Sequence, residues 1–248
     1  MIAGVPHPDW LIPDWPAPAR VRACVTTRAG GVSEPPFDTF NLGDHVEDAS
    51  AAVTANRARL HDRLGCRPAW LRQVHGTRVA RACPDEVAEA DASWSDAPGV
   101  ASAVLTADCL PVLFCDRRGR RVAAAHAGWR GLAGGVLEAT WRALAFDPEE
   151  TLAWLGPAIG PTAFEVGAEV CEAFLAHDPA CGEAFEPSVN PGRYMADLYR
   201  LARLRLNAFG VTAIYGGGYC TYHDPRFYSY RRASRTGRFA SLVWLSDE

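Results

Sequence analysis

Between residues 99 and 126 the chain reads GVASAVLTADCLPVLFCD and then, from 121, RVAAAH. The spacing predicts a short strand, a break around Asp108 and Pro111, a second strand and then a third. No helix separates them, which argues against a doubly wound sheet, where strands and helices alternate strictly. Strand composition also marks VRACVTTR at 21–28 and the closing FASLVWLSDE, and 69–82 reads as strand, tight turn at Gly76, strand. Helices are expected at 48–65, stopping at Gly65, at 131–146 and at 195–210, while 164–177 reads as a strand passing into a helix. Neither a repeat nor a low-complexity linker interrupts the chain. The expectation is a Pro-dense arm over 1–19, followed by a single α/β (α+β) domain over 20–248.

The balance of 25 Lys and Arg against 29 Asp and Glu over 248 residues gives a net charge of -4. It offers no overall field for nucleic acid or an anionic membrane. The opening MIAGVPHPDW lacks a basic n-region and a continuous apolar stretch, so no signal peptide is read. No apolar run approaches the ~18 residues of a spanning helix. A soluble, cytoplasmic protein is expected. The eight cysteines include no C-x-x-C pair, so reduced and mostly buried thiols are the default.

Of the seven histidines, His61 and His177 lie among polar helical neighbours and are expected to face solvent. His75 and His126 each end an apolar strand and are followed by glycine or small residues, in QVHG and AAHAGWRG. Cys109 sits at the break between two strands. Strand ends are where α/β proteins place reactive side chains. Two imidazoles and a thiolate suit zinc, with the fourth tetrahedral position left for water or substrate. Two other readings of the same residues stay open. One is a pair of hydrogen-bonded histidines and a core cysteine. The other makes Cys109 a nucleophile with His126 as its base and Asp108 as orienter.

YSYRRASRTGR, at 228–238, places Arg231, Arg232, Arg235 and Arg238 within eight positions. Such a cluster can hold phosphate or carboxylate through charge-assisted bonds, or can be a solvated basic loop. The Gly/Pro-rich loops at 26–43 and 156–167 can line an apolar-aromatic pocket or serve as plain connections.

TTRAGGVSEPPFDTFNLG, LRQVHG, TADCLPVLF, AAAHAGWRG, GPAIGPTAFEVGAEV and YSYRRASRTGR together resemble one family, in order and spacing. It is the bacterial laccase-domain family, also called multicopper polyphenol oxidases, YfiH-like proteins or peptidoglycan editing factors. The resemblance covers roughly residues 20 to 246. It implies a mixed α-β-β-α sandwich, helices outside packed sheets, related to a toxin deamidase that uses a Cys–His pair. It also implies a zinc-containing purine nucleoside phosphorylase that cleaves adenosine, inosine and methylthioadenosine with phosphate and deaminates adenosine. The family's metal ligands fall on His75, Cys109 and His126. A multicopper oxidase needs a blue-copper site and a trinuclear cluster, which takes far more convergent histidines; copper can still occupy a single His₂Cys site.

Within that expectation Asp108, Cys109 and His126 are the catalytic candidates, Asp108 handling protons. Arg72, Arg231, Arg232 and Arg238 are expected to hold phosphate, and Asn41 and Gln73 to read a base edge or ribose hydroxyl; for His45 a merely structural role and an accessory acid both stay open. The partners expected are purine nucleosides and phosphate, with neither nucleic acid nor membrane, in a monomer or homodimer. A peptidoglycan-precursor editing hydrolase and a copper-dependent polyphenol oxidase are the alternatives.

Overall fold

The stretch 99–126 forms three strands, Val100–Thr106, Leu110–Asp116 and Val122–Ala127, but they divide between two sheets. The computed structural model describes residues 6–247; the first five residues of the expected arm and Glu248 lie outside the described residues. One sheet has four strands in the order Val21–Val25, Phe239–Leu245, Val100–Thr106, Arg67–Ala69. The other has six: Ile214–Gly216, Thr151–Leu155, Leu110–Asp116, Val122–Ala127, Ala92–Ser95, Val79–Arg81. Both are mixed, with the short strands Arg67–Ala69, Ile214–Gly216 and Val79–Arg81 parallel to their neighbours and the remaining pairs antiparallel.

Side chains alternate across a strand, so each of these strands serves two cores. Leu113, Cys115, Val122 and Ala124 point between the sheets, where they meet Val104, Phe239 and Val243. Val112, Phe114, Ala123 and Ala125 point the other way, into a core closed by the helices Trp129–Gly134, Val136–Leu144, Ala168–Leu175 and Leu198–Ala208. On the outer face of the four-stranded sheet, Ala101, Ala103, Ala240 and Leu242 pack with Leu60 and Leu64 of the helix Ser50–Leu64. The layers are therefore helix, sheet, sheet, helix, the expected mixed α-β-β-α sandwich.

The helix at 50–64 ends where expected, at Gly65, which takes φ 65° and donates its N–H to the His61 carbonyl. Two helical expectations change. The segment 131–146 is two helices rather than one, because Gly135 adopts φ 98° in the left-handed region and interrupts the ladder. The helix expected from 195 starts at Leu198, where Asp197 accepts the Arg200 N–H as an N-cap. The residues before it, Arg193–Ala196, form instead the middle strand of a small three-stranded sheet. Thr151–Leu155, a strand that carried no expectation, is too short for its period to declare itself.

All eight cysteines are free thiols. Cys115 is fully buried, and burial pushes its thiol well above the ordinary value. His61 and His177 are exposed, as expected. No described helix is long and apolar enough to cross a membrane.

The inter-sheet core gives a stability prediction. Leu113→Ala should cost about 2–5 kcal/mol in urea unfolding of the metal-free protein, through lost transfer energy and the cavity left behind. Val189→Ala, at a site 98% exposed, should stay within about 0.5 kcal/mol. Equal effects would contradict the packing described.

Candidate metal centre

Three chain segments deliver three donor side chains to one point. His126 is the penultimate residue of Val122–Ala127 and shares the inter-sheet face with Val122 and Ala124, where it is 3% exposed. Cys109 lies in the break before Leu110–Asp116, and the preceding Asp108 turns the chain with φ 92°. His75 follows the short strand Leu71–Arg72 and adopts φ 59°. The donor atoms of His75, Cys109 and His126 all lie within 4.8 Å of one another. Cys109 Sγ is 3.8 Å from His75 Nε2, and the two imidazoles meet edge-on with centroids 4.7 Å apart. Among the described residues no other group of three or more His, Cys, Asp or Glu side chains converges in this way.

Gly128 makes the convergence possible. A Cβ there would stand 2.9 Å from Cys109 Sγ and 2.9 Å from His75 Cδ2. Behind the donors lies Asp91, whose carboxylate is fully buried. It accepts the His126 Nδ1–H at 2.8 Å and the backbone N–H groups of Val74, His75 and Gly76 at 3.2, 2.9 and 2.7 Å. With Nδ1 engaged, the imidazole of His126 turns Nε2 towards the sulfur. Burial works to raise the Asp91 carboxyl, but these bonds outweigh it and hold the group below its usual range.

The electrostatics are those of a thiolate–imidazolium pair when no metal is bound. Burial alone would push the Cys109 thiol up; the charge and hydrogen bonds of His126 and His75 reverse this and bring it down to about 6. Burial alone would lower His126; the Cys109 thiolate and the Asp91 bond raise it to about 9. The donor set, two imidazole nitrogens and a sulfur already ionised near neutrality, fits a single zinc or copper ion.

These residues open into a cavity of about 360 Å³. Its apolar wall includes Leu105, Ile159, Phe164 and Tyr230, and its polar wall includes His45, Gln73, Asp108, Arg231 and Arg238. Clefts of about 850 and 600 Å³ elsewhere hold no such donor set, although the larger shares Arg231. Asp108 accepts the Thr221 hydroxyl at 2.6 Å and the Arg231 backbone N–H at 2.7 Å, one on each oxygen. The Arg231 guanidinium donates to the carbonyls of Ala163 and Glu165 and lies 5.6 Å from the Phe164 ring centre. Arg238 is held by the carbonyls of Thr236 and Gly237; burial depresses its guanidinium, opposed by the facing Cys109 and Asp108. Burial likewise lowers His45, as does the Arg238 charge.

Four expected contact residues do not present free groups to this cavity. Gln73 lines it, but its amide is taken at both ends by the Leu105 backbone, at 2.9 and 2.8 Å. Asn41 is fully buried behind the wall, accepting the Arg238 N–H at 2.8 Å, so it acts on Arg238. Arg72 is outside, 71% exposed and paired with Glu89 at 2.7 Å. Arg232 is spent on the carbonyls of Thr221 and Tyr222, pinning a loop. Sequence reasoning missed Asp91; it singled out none of Gly128, Ile159 and Tyr230, although these lie in the motifs AAHAGWRG, GPAIGPTAFEVG and YSYRRASRTGR. Phe164 had a signal in the Gly/Pro loop at 156–167; Asp91 had none, since it sits 16 residues from His75 and 35 from His126.

In metal-free protein, alkylation of Cys109 by iodoacetamide should rise with pH around a midpoint near 6, because the thiolate is the reactive form and its pKa is lowered. His126→Ala should move that midpoint up. A wild-type midpoint at 8 or above would contradict the ion pair.

The profile of the family described as "Multi-copper polyphenol oxidoreductase laccase" matches residues 22–246. A protein of Pseudomonas aeruginosa named purine nucleoside phosphorylase is 68% identical over 239 residues, covering 96% of this chain and 99% of that one. Purine nucleoside phosphorylase YfiH of Escherichia coli is 54% identical over 241 residues, with 95% and 98% covered. The crystal structure of a Neisseria meningitidis protein superposes with a TM-score of 0.94 at 51% identity, covering 96% of this chain and 99% of that one. By sequence and by fold, the chain belongs to the multi-copper polyphenol oxidoreductase laccase family, that of the YfiH-type proteins.

Proposed function

We propose that the chain is a cytoplasmic, zinc-dependent purine nucleoside phosphorylase acting on adenosine, inosine and methylthioadenosine, and that it also deaminates adenosine. One observation carries this reading: a three-donor metal set and two guanidiniums, Arg231 and Arg238, share a cavity with an aromatic-apolar wall. A volume of about 360 Å³ lies in the range of small-molecule sites. The names of the relatives, purine nucleoside phosphorylases over nearly their whole length, support the same chemistry.

In phosphorolysis a phosphate oxygen bonds to ribose C1′ as the C1′–N9 bond breaks; the purine leaves with the electron pair and takes up a proton. Arg231 and Arg238 are the anion holders in this scheme. Phe164, Ile159 and Tyr230 offer the flat apolar surface a purine requires. Asp108 keeps a second lone pair on each oxygen, and is assigned the relay of a proton from the attacking phosphate to the leaving purine. In deamination water adds at C6 and ammonia leaves. Zinc, when bound by His75, Cys109 and His126, supplies a Lewis acid to a substrate or water oxygen.

A second reading has its own observation. Cys109, His126 and Asp91 stand in series, nucleophile, base and orienter, which is the arrangement of a cysteine hydrolase. A peptidoglycan-precursor editing hydrolase would belong to that class, with Asp91 in the place expected for Asp108.

Metal analysis of purified protein, with an adenosine-plus-phosphate assay read by chromatography, separates the readings. One zinc per chain should be found, and adenine with ribose-1-phosphate should form; chelation and Cys109→Ala should each abolish both products' formation. Activity that survives chelation yet is lost to alkylation of Cys109 would favour the hydrolase. Arg238→Ala should raise the KM for phosphate about 10–100-fold, the worth of one charge-assisted bond, with a smaller effect on nucleoside. An unchanged phosphate KM would remove Arg238 from the anion site.

A further inference from the structure

We infer that Asp91 is the positioning residue of the metal centre, and that its one carboxylate sets both histidine ligands at once. The inference rests on the reading of His75, Cys109 and His126 as metal ligands. Oδ1 accepts from the His126 ring and from the His75 backbone N–H. Oδ2 accepts from the N–H groups of Val74 and Gly76. The ring bond fixes the His126 tautomer and leaves Nε2 free to ligate. The three backbone bonds wrap consecutive N–H groups around the anion and hold His75 at φ 59°, a conformation uncommon for a residue with a side chain.

Asp91 cannot swing away from this task. Its own N–H donates to the Arg78 carbonyl at 3.0 Å, and its carbonyl accepts the His126 N–H at 2.7 Å. The loop it holds is backed by the helix Trp129–Gly134, where a Cβ on Gly131 would come within 2.9 Å of the Gly76 carbonyl. The carboxylate makes no salt bridge to Arg or Lys; its charge is answered by backbone dipoles and by His126. Burying an anion so completely is costly unless every lone pair is used. Here all the bonds converge on the two ligand-bearing segments.

Four donors and no acceptor face this side chain, which makes Asp91→Asn a sharp test. An amide has one accepting atom. With its oxygen at the Oδ1 position, the NH₂ group opposes the N–H groups of Val74 and Gly76 and the His75 loop is released. With its oxygen at the Oδ2 position, the NH₂ group opposes the His75 N–H and donates to His126 Nδ1, which moves the imidazole proton to Nε2. Either orientation frees one histidine.

The experiment is zinc competition against a chromophoric chelator, for wild type, Asp91→Asn and the core control Leu152→Ala, with zinc K-edge absorption on the zinc-saturated proteins. Asp91→Asn should weaken zinc binding about 10–100-fold, the usual effect of losing such a partner, and should lose one imidazole from the zinc shell. Leu152→Ala should lower the melting temperature while keeping zinc affinity and shell. Zinc affinity in Asp91→Asn no weaker than in the control, or a weaker site with both imidazoles retained, overturns the positioning role. A wild-type protein that takes up no zinc sinks the metal-centre reading itself, and this inference with it. Should Asp91→Asn fail to fold, wild-type zinc protein decides by NMR: a slowly exchanging, downfield His126 Nδ1–H is expected, and its absence overturns the inference.

Discussion

The pairing of Leu110 with Ala127 and of Pro111 with His126 is the constraint on which the rest of the site depends. A slip of one residue would turn His126 out of the inter-sheet face and exchange the two cores, since a strand repeats every two residues. Leu113 and Cys115 on one strand, Val122 and Ala124 on the other, hold the register by packing against the second sheet. One step beyond the last pair, Cys109 stands across from Gly128, the position where a Cβ would strike the sulfur. Fold and chemistry therefore meet at one strand pair. The core that sets the register also sets the distance between thiol and imidazole.

That arrangement concentrates charge where water is scarce. Asp91 and His126 are nearly sealed from solvent, and Cys109 is ionised beside them. Buried ions are tolerated when each is paired and hydrogen-bonded, and the cluster meets the requirement by running carboxylate, imidazolium and thiolate in sequence. The strain at His75 and Asp108, both with positive φ, lies at the same point. Non-glycine residues hold such angles where surrounding bonds over-determine them. Asp91 supplies those bonds at His75; Thr221 and the Arg231 backbone supply them at Asp108.

Much of this was legible in the sequence, and the remainder was hidden for physical reasons. Apolar runs ending at His126 and breaking at Asp108 announced strands with polar groups at their ends, and glycine after each histidine marked close approach. The donor set was raised by those strand ends as one of three readings and singled out by the family resemblance; the layer order came with the resemblance alone. Local signals failed where a single backbone angle decided, as at Gly135, or where a cap outweighed helical composition, as at Asp197. Side-chain roles were read least well. Asn41, Arg72, Gln73 and Arg232 have the right chemistry for a ligand, but their hydrogen bonds are spent on Arg238, Glu89, Leu105 and two carbonyls. Composition reports what a side chain can bind; only the fold reports whether that capacity is already used. Asp91 is the converse, an unmarked residue made central by three-dimensional neighbours.

The family label and the donor set point to different metal chemistry, and counting charges helps to choose. Three donors for one ion cannot build the mononuclear and trinuclear copper sites of a polyphenol oxidase, and no second cluster exists among the described residues. Without metal, the anions Cys109, Asp91 and Asp108 are matched by the cations His126, Arg231 and Arg238. A divalent ion held by His75, Cys109 and His126 would displace the His126 proton and bring two positive charges, so the cavity would gain one net positive charge. On the proposed reading that charge has a use: phosphate must be drawn beside a thiolate and two carboxylates, and a neutral cavity would give it little reason to enter. The centre would then contribute to anion binding before any bond is broken. The arginines need not provide the whole attraction, which fits a cavity lined by only two of the four clustered arginines, Arg231 and Arg238.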